Sequence, residues 1–78
     1  MDFRGVLRAR RCELGMKQQD LARAVGVTAV AISQWERGET RPSYKASSKL
    51  AKALGMSERD LFYPLDKTET NEEIKNVL

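Results

Sequence analysis

Residues 30–43 read VAISQWERGETRPS and place the only tryptophan, Trp35, directly before the charge pair Glu36 and Arg37 and a glycine, Gly38. These side chains supply hydrogen bonds and charge, which is the chemistry of recognition. Catalytic chemistry is harder to build, because the chain has no histidine and a single cysteine, Cys12. The sequence offers no nucleophile with a neighbouring base, no usual zinc ligand set and no phosphate loop. It therefore argues against an enzyme and predicts neither a metal nor a cofactor.

The composition is that of one small globular domain. The 78 residues are 41% hydrophobic and 32% charged, which suits a single core. No apolar run approaches the roughly 20 residues of a membrane span, and the start MDFRGVLRARR lacks the apolar stretch of a secretory signal. We therefore expect a cytoplasmic protein.

Charge divides the chain into two parts. Residues 1–63 hold twelve Lys or Arg against seven Asp or Glu, a net of +5, whereas residues 64–78 hold two against four, a net of −2. A basic body suits a polyanion partner, although a domain of this charge need not bind one. We expect a domain over residues 1–65 and an acidic tail over residues 66–78. The tail has a capping-box pattern from Thr70 but is too short for a stable isolated helix, so it packs on a partner or on the domain, or is disordered.

Helical periodicity without strand-like alternation predicts an all-α fold of five short helices. They are expected over about residues 2–13, 18–25, 29–37, from Ser43 to just before Gly55, and from Ser57 onwards, with Thr28, Ser43 and Ser57 as caps. The predicted apolar faces are Phe3, Leu7 and Leu14; Leu21, Ala22 and Val25; Ile32 and Trp35; Leu50, Ala51 and Leu54; and Leu61 and Phe62.

The three-residue link GVT at residues 26–28 joins the second and third helices. So short a link forces the two helices to cross steeply, which requires small Ala22 where the backbones approach and Gly26 where the chain turns. The 18 residues QQDLARAVGVTAVAISQW therefore predict a helix-turn-helix.

The segments LGMKQQDLARAVGV, ISQWERGETRPS and LAKALGMSERDLF resemble the Cro and repressor-type (Xre-like) helix-turn-helix regulators, with temperate-phage repressors nearest. The resemblance covers about residues 3–63. It implies the lambda-repressor-like arrangement of five helices, a homodimer on a palindromic operator in double-stranded DNA, and a third helix in the major groove.

Base reading is expected from the start of the third helix, at Ala29, Val30, Ser33 and Gln34. Relatives often carry glutamine or asparagine early in this helix, so Ala29 and Val30 depart from the pattern. A valine methyl can select the C5-methyl group of thymine, Gln34 suits adenine, and Ser33 suits either kind of base edge. The alternative for Val30 is packing against a neighbouring helix.

Phosphate contacts are expected at the ends of the second and third helices. The resemblance implies Gln18 and the turn at Arg37 and Gly38, where the Gly38 amide also approaches the DNA backbone. Lys17 stands where a capping residue is usual, which a nearby phosphate would offset. The full expected set is Lys17, Gln18, Thr28, Arg37, Gly38, Arg41 and Lys45.

A third group is expected to support the fold. Trp35 belongs to the core, with stacking on a base as the alternative. The resemblance implies that Glu36 pairs with Arg11 on the first helix, where the alternative is two solvated charges.

The predicted function is a sequence-specific transcriptional regulator, most simply a phage or prophage repressor. Two rivals use the same fold: the antitoxin of a toxin pair, with the tail as a protein-binding element, and a restriction-modification controller. A protein-interaction module that binds no DNA is a rival of a different class.

Overall fold

The computed structural model describes residues 2–63. Its helices are α1 (Phe3–Glu13), α2 (Gln18–Val25), α3 (Ala29–Arg37), α4 (Tyr44–Ala53) and α5 (Glu58–Phe62), and no strand occurs within these residues. The predicted all-α fold of five helices is confirmed. The predicted tail over residues 66–78, with its capping-box pattern at Thr70, lies outside the described residues.

Short polar side chains begin most of the helices. The hydroxyls of Thr28, Ser43 and Ser57 accept hydrogen bonds from the backbone amides three residues later. Asp2, expected inside α1, instead precedes it and accepts from the Gly5 amide. These bonds satisfy amides that a helix leaves without an internal partner, so the starts of α1, α3, α4 and α5 are specified locally.

The five helices enclose one core. Helix α2 packs against α3 and α4, α1 packs against α3 and α5, and α4 packs against α5. The buried apolar residues are Phe3, Leu7, Leu21, Ala22, Val25, Ile32, Trp35, Leu50, Ala51, Leu54 and Leu61. No helix within residues 2–63 has the length and apolarity that would let it cross a membrane.

Leu14 was expected on the apolar face of α1, and this was wrong, because its side chain is 43% exposed. The helix ends at Glu13, and Leu14 follows as its C-cap residue with φ −82° and ψ 0°, its amide still donating to the Arg10 carbonyl oxygen. Met16 packs against the core instead. Phe62, expected to be buried, is half-buried and stacks its ring on Phe3 with 4.6 Å between the centroids.

Candidate nucleic-acid interface

The turn between α2 and α3 is held by backbone hydrogen bonds. Gly26 has φ +84°, a left-handed conformation that glycine adopts without strain, and its amide donates to the Ala22 carbonyl oxygen at 2.8 Å. The Val27 amide donates to the same oxygen at 3.0 Å. Thr28 Oγ1 then accepts from the Ala31 amide at 3.1 Å. The direction of α3 is therefore set by the turn that precedes it.

An ion pair joins α1 to α3, as expected for Arg11 and Glu36. Arg11 Nε donates to Glu36 Oε2 at 2.6 Å and Nη2 donates to Oε1 at 3.0 Å. The side chains are only 12% and 5% exposed, so solvated charges do not describe them. The hydrogen bond to Glu36 raises the pKa of Arg11 above its ordinary value and keeps the guanidinium charged.

Two further bonds extend this pair to the start of α2. Arg11 Nη1 donates to the Met16 carbonyl oxygen at 2.8 Å, which the sequence did not indicate. Gln18 Nε2 donates to Glu36 Oε1 at 3.3 Å. Because the polar atoms lie on three helices, the network holds the first turn of α2 and the last turn of α3 in one arrangement.

The outer face of α3 presents Val30, whose side chain is 63% exposed. The alternative of Val30 packed against a neighbouring helix is therefore wrong. Ser33 and Gln34 are half-buried along the same helix, while Ile32 and Trp35 are buried in the core. An apolar side chain thus faces outward on a helix that is anchored through its opposite side.

Ala29 does not share this outward position. It lies three residues before Ile32, one helical turn away, so its methyl group packs partly against the core. The expected role of Ala29 in base reading stays a prediction. Because the Ala29 side chain is small, it adds little bulk to the first turn of α3.

The start of α2 is arranged differently from the other helix starts. Lys17 is exposed, and its ammonium group, which can only donate, makes no capping bond to the helix amides. Its backbone amide donates to the Asp20 carboxylate at 2.9 Å. Asp20 also places negative charge in the first turn, where the helix dipole favours it. The lysine head is therefore not held by α2.

The last residue of α3, Arg37, presents a second exposed basic side chain. Arg37 donates from Nε and Nη2 to Glu39 Oε2 at 2.9 and 2.6 Å, and the two side chains are 61% and 53% exposed. Gly38, at φ +76°, closes the helix, and its amide donates to the Trp35 carbonyl oxygen at 3.2 Å. That amide already has an acceptor within the protein, and its expected contact with a phosphate stays a prediction.

Arg41 is exposed and lies over two aromatic rings. Its guanidinium carbon lies 5.5 Å from the centroid of the Phe3 ring and 6.0 Å from that of Phe62. This cation–π geometry joins the α3–α4 loop to α1 and α5, and the expected phosphate contact of Arg41 stays a prediction. Lys45, near the start of α4, is exposed.

Arg4 is a basic residue at this end of α3 that the sequence did not single out. A Cβ atom built on Gly38 would lie 2.5 Å from Arg4 Cδ and 2.9 Å from Arg4 Nη1. The Arg4 side chain therefore covers Gly38. No short-range pattern marks this contact, because it joins residues far apart in the chain.

Comparison with known proteins agrees with this geometry. A family model described as helix-turn-helix matches residues 7–61. The chain is 46% identical over 65 residues to repressor protein C2 of Salmonella phage P22. The matched segment covers 83% of the chain and 30% of that repressor. It is 38% identical over 64 residues to an uncharacterized HTH-type transcriptional regulator of Methanothermobacter thermautotrophicus, covering 82% of the chain and 93% of that protein.

A solved structure shares the arrangement of the helices. The crystal structure of the P22 c2 repressor in complex with a synthetic operator superposes with a TM-score of 0.79 at 43% identity. The match covers 81% of this chain and 96% of the repressor chain in that crystal. The chain itself spans about a third of the full-length phage repressor.

Proposed function

The chain belongs to the helix-turn-helix family, in its Xre/Cro-like group, and on that premise we propose that it is a sequence-specific DNA-binding transcriptional repressor. One observation carries the proposal: α3 is anchored by Ile32, Trp35 and Glu36, while Val30 on its outer face remains 63% exposed. A rigid helix with an exposed reading face suits insertion into the major groove. The likeness to a repressor solved with its operator supports the same function.

Base reading is assigned to Val30, Ser33 and Gln34. The Val30 methyl groups contact the C5-methyl of thymine, Gln34 offers a donor and an acceptor to adenine, and Ser33 serves either kind of base edge. Ala29 contributes through its small size, which allows the first turn of α3 to approach the bases closely.

Phosphate contacts are assigned to Lys17, Gln18, Thr28, Arg37, Gly38, Arg41 and Lys45. Lys17 and Gln18 lie at the amino end of α2, where unpaired amides and the helix dipole attract anions. Arg37 exchanges its exposed partner Glu39 for a phosphate oxygen. The loss of that pair costs little free energy, because surface ion pairs contribute little to stability. These contacts position the protein and carry no base preference.

The assembly that we propose is a homodimer on a palindromic operator in the cytoplasm, with residues 1–65 as the DNA-binding unit. A symmetric operator presents the same half-site twice, so two copies of α3 read two adjacent major-groove faces. Neither a cofactor nor a catalytic role is part of the proposal.

Selection of bound duplexes from a random pool tests the function. We expect an enriched sequence with two inverted half-sites about one helical turn apart. Affinity for it should fall steeply as salt is added, because phosphate contacts release counterions. The Arg37→Ala variant should weaken binding to all duplexes alike. An unenriched pool, or binding that is indifferent to salt, would instead favour a protein-interaction module.

A further inference from the structure

Arg4, on the first turn of α1, lies against the carboxyl end of α3. Its Cδ, Nε and Nη1 atoms all fall within 3.2 Å of the position that a Cβ of Gly38 would take. Only a residue without a side chain leaves room for them. The guanidinium group is thereby brought to the same turn that carries Arg37, although the two arginines come from different helices.

Each of these arginines has an acidic partner two residues away. Arg4 donates from Nε and Nη2 to Asp2 Oδ2 at 3.0 and 2.7 Å, just as Arg37 donates to a single oxygen of Glu39. The Arg4 and Asp2 side chains are 54% and 55% exposed. Within residues 2–63, Arg4 Nη1 has no hydrogen-bond partner. Both pairs are therefore exposed to solvent and easily exchanged for another anion.

We infer that Arg4 is a further DNA-backbone contact of the proposed repressor, held against Gly38 at the end of α3, and that Asp2 is its internal competitor for the phosphate. The inference rests on the proposed function and adds one residue from α1 to the binding surface. An arginine fork matches a phosphate as well as a carboxylate, so a phosphate oxygen replaces Asp2 Oδ2 without loss of geometry.

Asp2 is suited to this role because it stays in place when Arg4 leaves. Its Oδ1 atom accepts from the Gly5 amide at 3.0 Å as the cap of α1. Like any aspartate, Asp2 is ionised at neutral pH, and the hydrogen bonds from Arg4 and from the Gly5 amide lower its pKa further. Its negative charge therefore opposes a phosphate at the same point.

A purely structural role for Arg4 is the alternative to be tested. A guanidinium group at the carboxyl end of α3 also interacts favourably with the negative end of the helix dipole. In that case the loss of Arg4 would lower the stability of the fold and leave the number of phosphate contacts unchanged. Stability and salt dependence therefore have to be measured on the same variants.

The first experiment compares Arg4→Gln with Lys52→Gln, using the 78-residue chain and the duplex obtained by selection. Lys52 is a matched control because it is exposed on the last turn of α4 and its loss removes the same charge. For Arg4→Gln we expect the slope of log affinity against log salt to shrink by about 0.9, the value for one phosphate contact. Binding to a non-specific duplex should weaken by the same factor, and Arg4→Lys should retain the slope.

The second experiment measures Asp2→Asn, in which the asparagine oxygen can still cap α1. We expect tighter binding at low salt by about two- to fivefold, the range that an exposed ion pair spans. When Arg4 is already replaced by glutamine, the gain in affinity from Asp2→Asn should be no larger than the gain from Glu58→Gln. Glu58→Gln is the control because it removes one exposed negative charge, on α5. This coupling identifies Asp2 as a competitor for Arg4 and not merely a nearby charge.

The outcomes separate the inference from the function on which it rests. If wild-type protein binds the selected duplex and Arg4→Gln changes the salt slope no more than Lys52→Gln, the inference is wrong and the function stands. If Arg4→Gln lowers thermal stability with the slope unchanged, Arg4 is structural and the inference again fails. Wild-type protein that selects no duplex overturns the proposed function itself.

Discussion

At the scale of single residues, Val30 is the side chain on which the proposed base reading depends most. Its exposed methyl groups can meet the C5-methyl of thymine, and that contact is lost when thymine is replaced by uracil. We expect each uracil substitution in the selected duplex to be harmless except at one position in each half-site. There the wild-type protein should lose about 1 kcal/mol, roughly fivefold in affinity, the value of about one buried methylene group.

The Val30→Ala variant should bind the thymine and uracil duplexes equally at that position, as competition binding would reveal. Ser33 and Gln34 are unchanged in this variant, so preferences at other positions serve as its internal control. A Val30→Ala protein that loses affinity equally for every duplex, while still distinguishing thymine from uracil, would disprove the assignment.

A second prediction for a single residue concerns Glu36, whose carboxylate pairs with Arg11 and joins α1 to α3. Glu36→Gln removes the partner of Arg11 and leaves a guanidinium group that is only 12% exposed without a counter-charge. We expect a loss of about 3 kcal/mol in the free energy of unfolding, measured with urea, as for a broken buried ion pair. Because the pKa of Arg11 is raised, the pair contributes fully below the ordinary arginine pKa and is lost only at more alkaline pH.

Glu39→Gln is the matched control for this measurement. It breaks the exposed pair with Arg37 and should cost no more than about 1 kcal/mol. Equal losses in the two variants would mean that the Arg11–Glu36 pair is no more important to the fold than a surface pair.

At the scale of the elements, the proposed phosphate contact Lys17 stands at the start of α2, where a capping residue would stabilise the helix more. Lys17 has the extended backbone of a capping position but makes no side-chain cap. Lys17→Ser should raise the free energy of unfolding by about 1 kcal/mol, since serine caps the helix amides. The same change should weaken DNA binding, because it removes a proposed phosphate contact. Thermal unfolding and duplex titration of one sample would show these opposite signs.

Lys45→Ser is the control for these opposite effects on stability and DNA binding. Lys45 is also an exposed, proposed phosphate contact, but it lies inside α4 after the Ser43 cap. Its replacement should weaken DNA binding without any gain in stability. A Lys17→Ser protein that is no more stable than wild type would show that the Asp20 carboxylate already provides what a cap supplies.

The glycines that follow α1 and α3, Gly15 and Gly38, allow a second comparison between elements. Gly15 and Gly38 both have left-handed backbone, with φ +69° and +76°, so an alanine at either position costs about 1–2 kcal/mol. An added Cβ at Gly15 has nothing within 4 Å, whereas at Gly38 it must displace Arg4. Chemical unfolding should therefore show a loss in both variants. Only Gly38→Ala should also alter the salt dependence of DNA binding, and an unchanged dependence would contradict the placement of Arg4.

At the scale of the whole molecule, the described residues 2–63 already form a core to which every described helix contributes. The buried apolar residues run from Phe3 to Leu61, and they are contributed by all five described helices. A chain shortened to residues 1–65 should therefore unfold at the same temperature as the full chain, to within the few degrees that 1 kcal/mol represents. Calorimetry of the two chains at equal concentration measures this.

The shortened chain also tests how the molecule assembles. If residues 1–65 bind the selected duplex with the same affinity and stoichiometry as the full chain, dimerisation on DNA belongs to the domain. A large loss of thermal stability would contradict the division at residue 65. Loss of a protein partner with DNA binding intact would favour the antitoxin alternative.

The sequence by itself determined the helices and the turn between α2 and α3. Gly26, Thr28 and the apolar spacing of Ile32 and Trp35 act through neighbours within about one helical turn, so their effect is visible in a short window of residues. The ion pair of Arg11 with Glu36 was accessible only through family resemblance, because its partners lie on different helices.

Only the tertiary structure decided which long side chains meet. Arg41 lies over Phe3 and Phe62, Arg4 covers Gly38, and Ala29 turns partly into the core. Arginine side chains are long and have many rotamers, and packing between distant segments of the chain selects among them. Local preferences specify where a helix begins and ends, whereas the packing of one helix on another decides which residues are left to meet a partner.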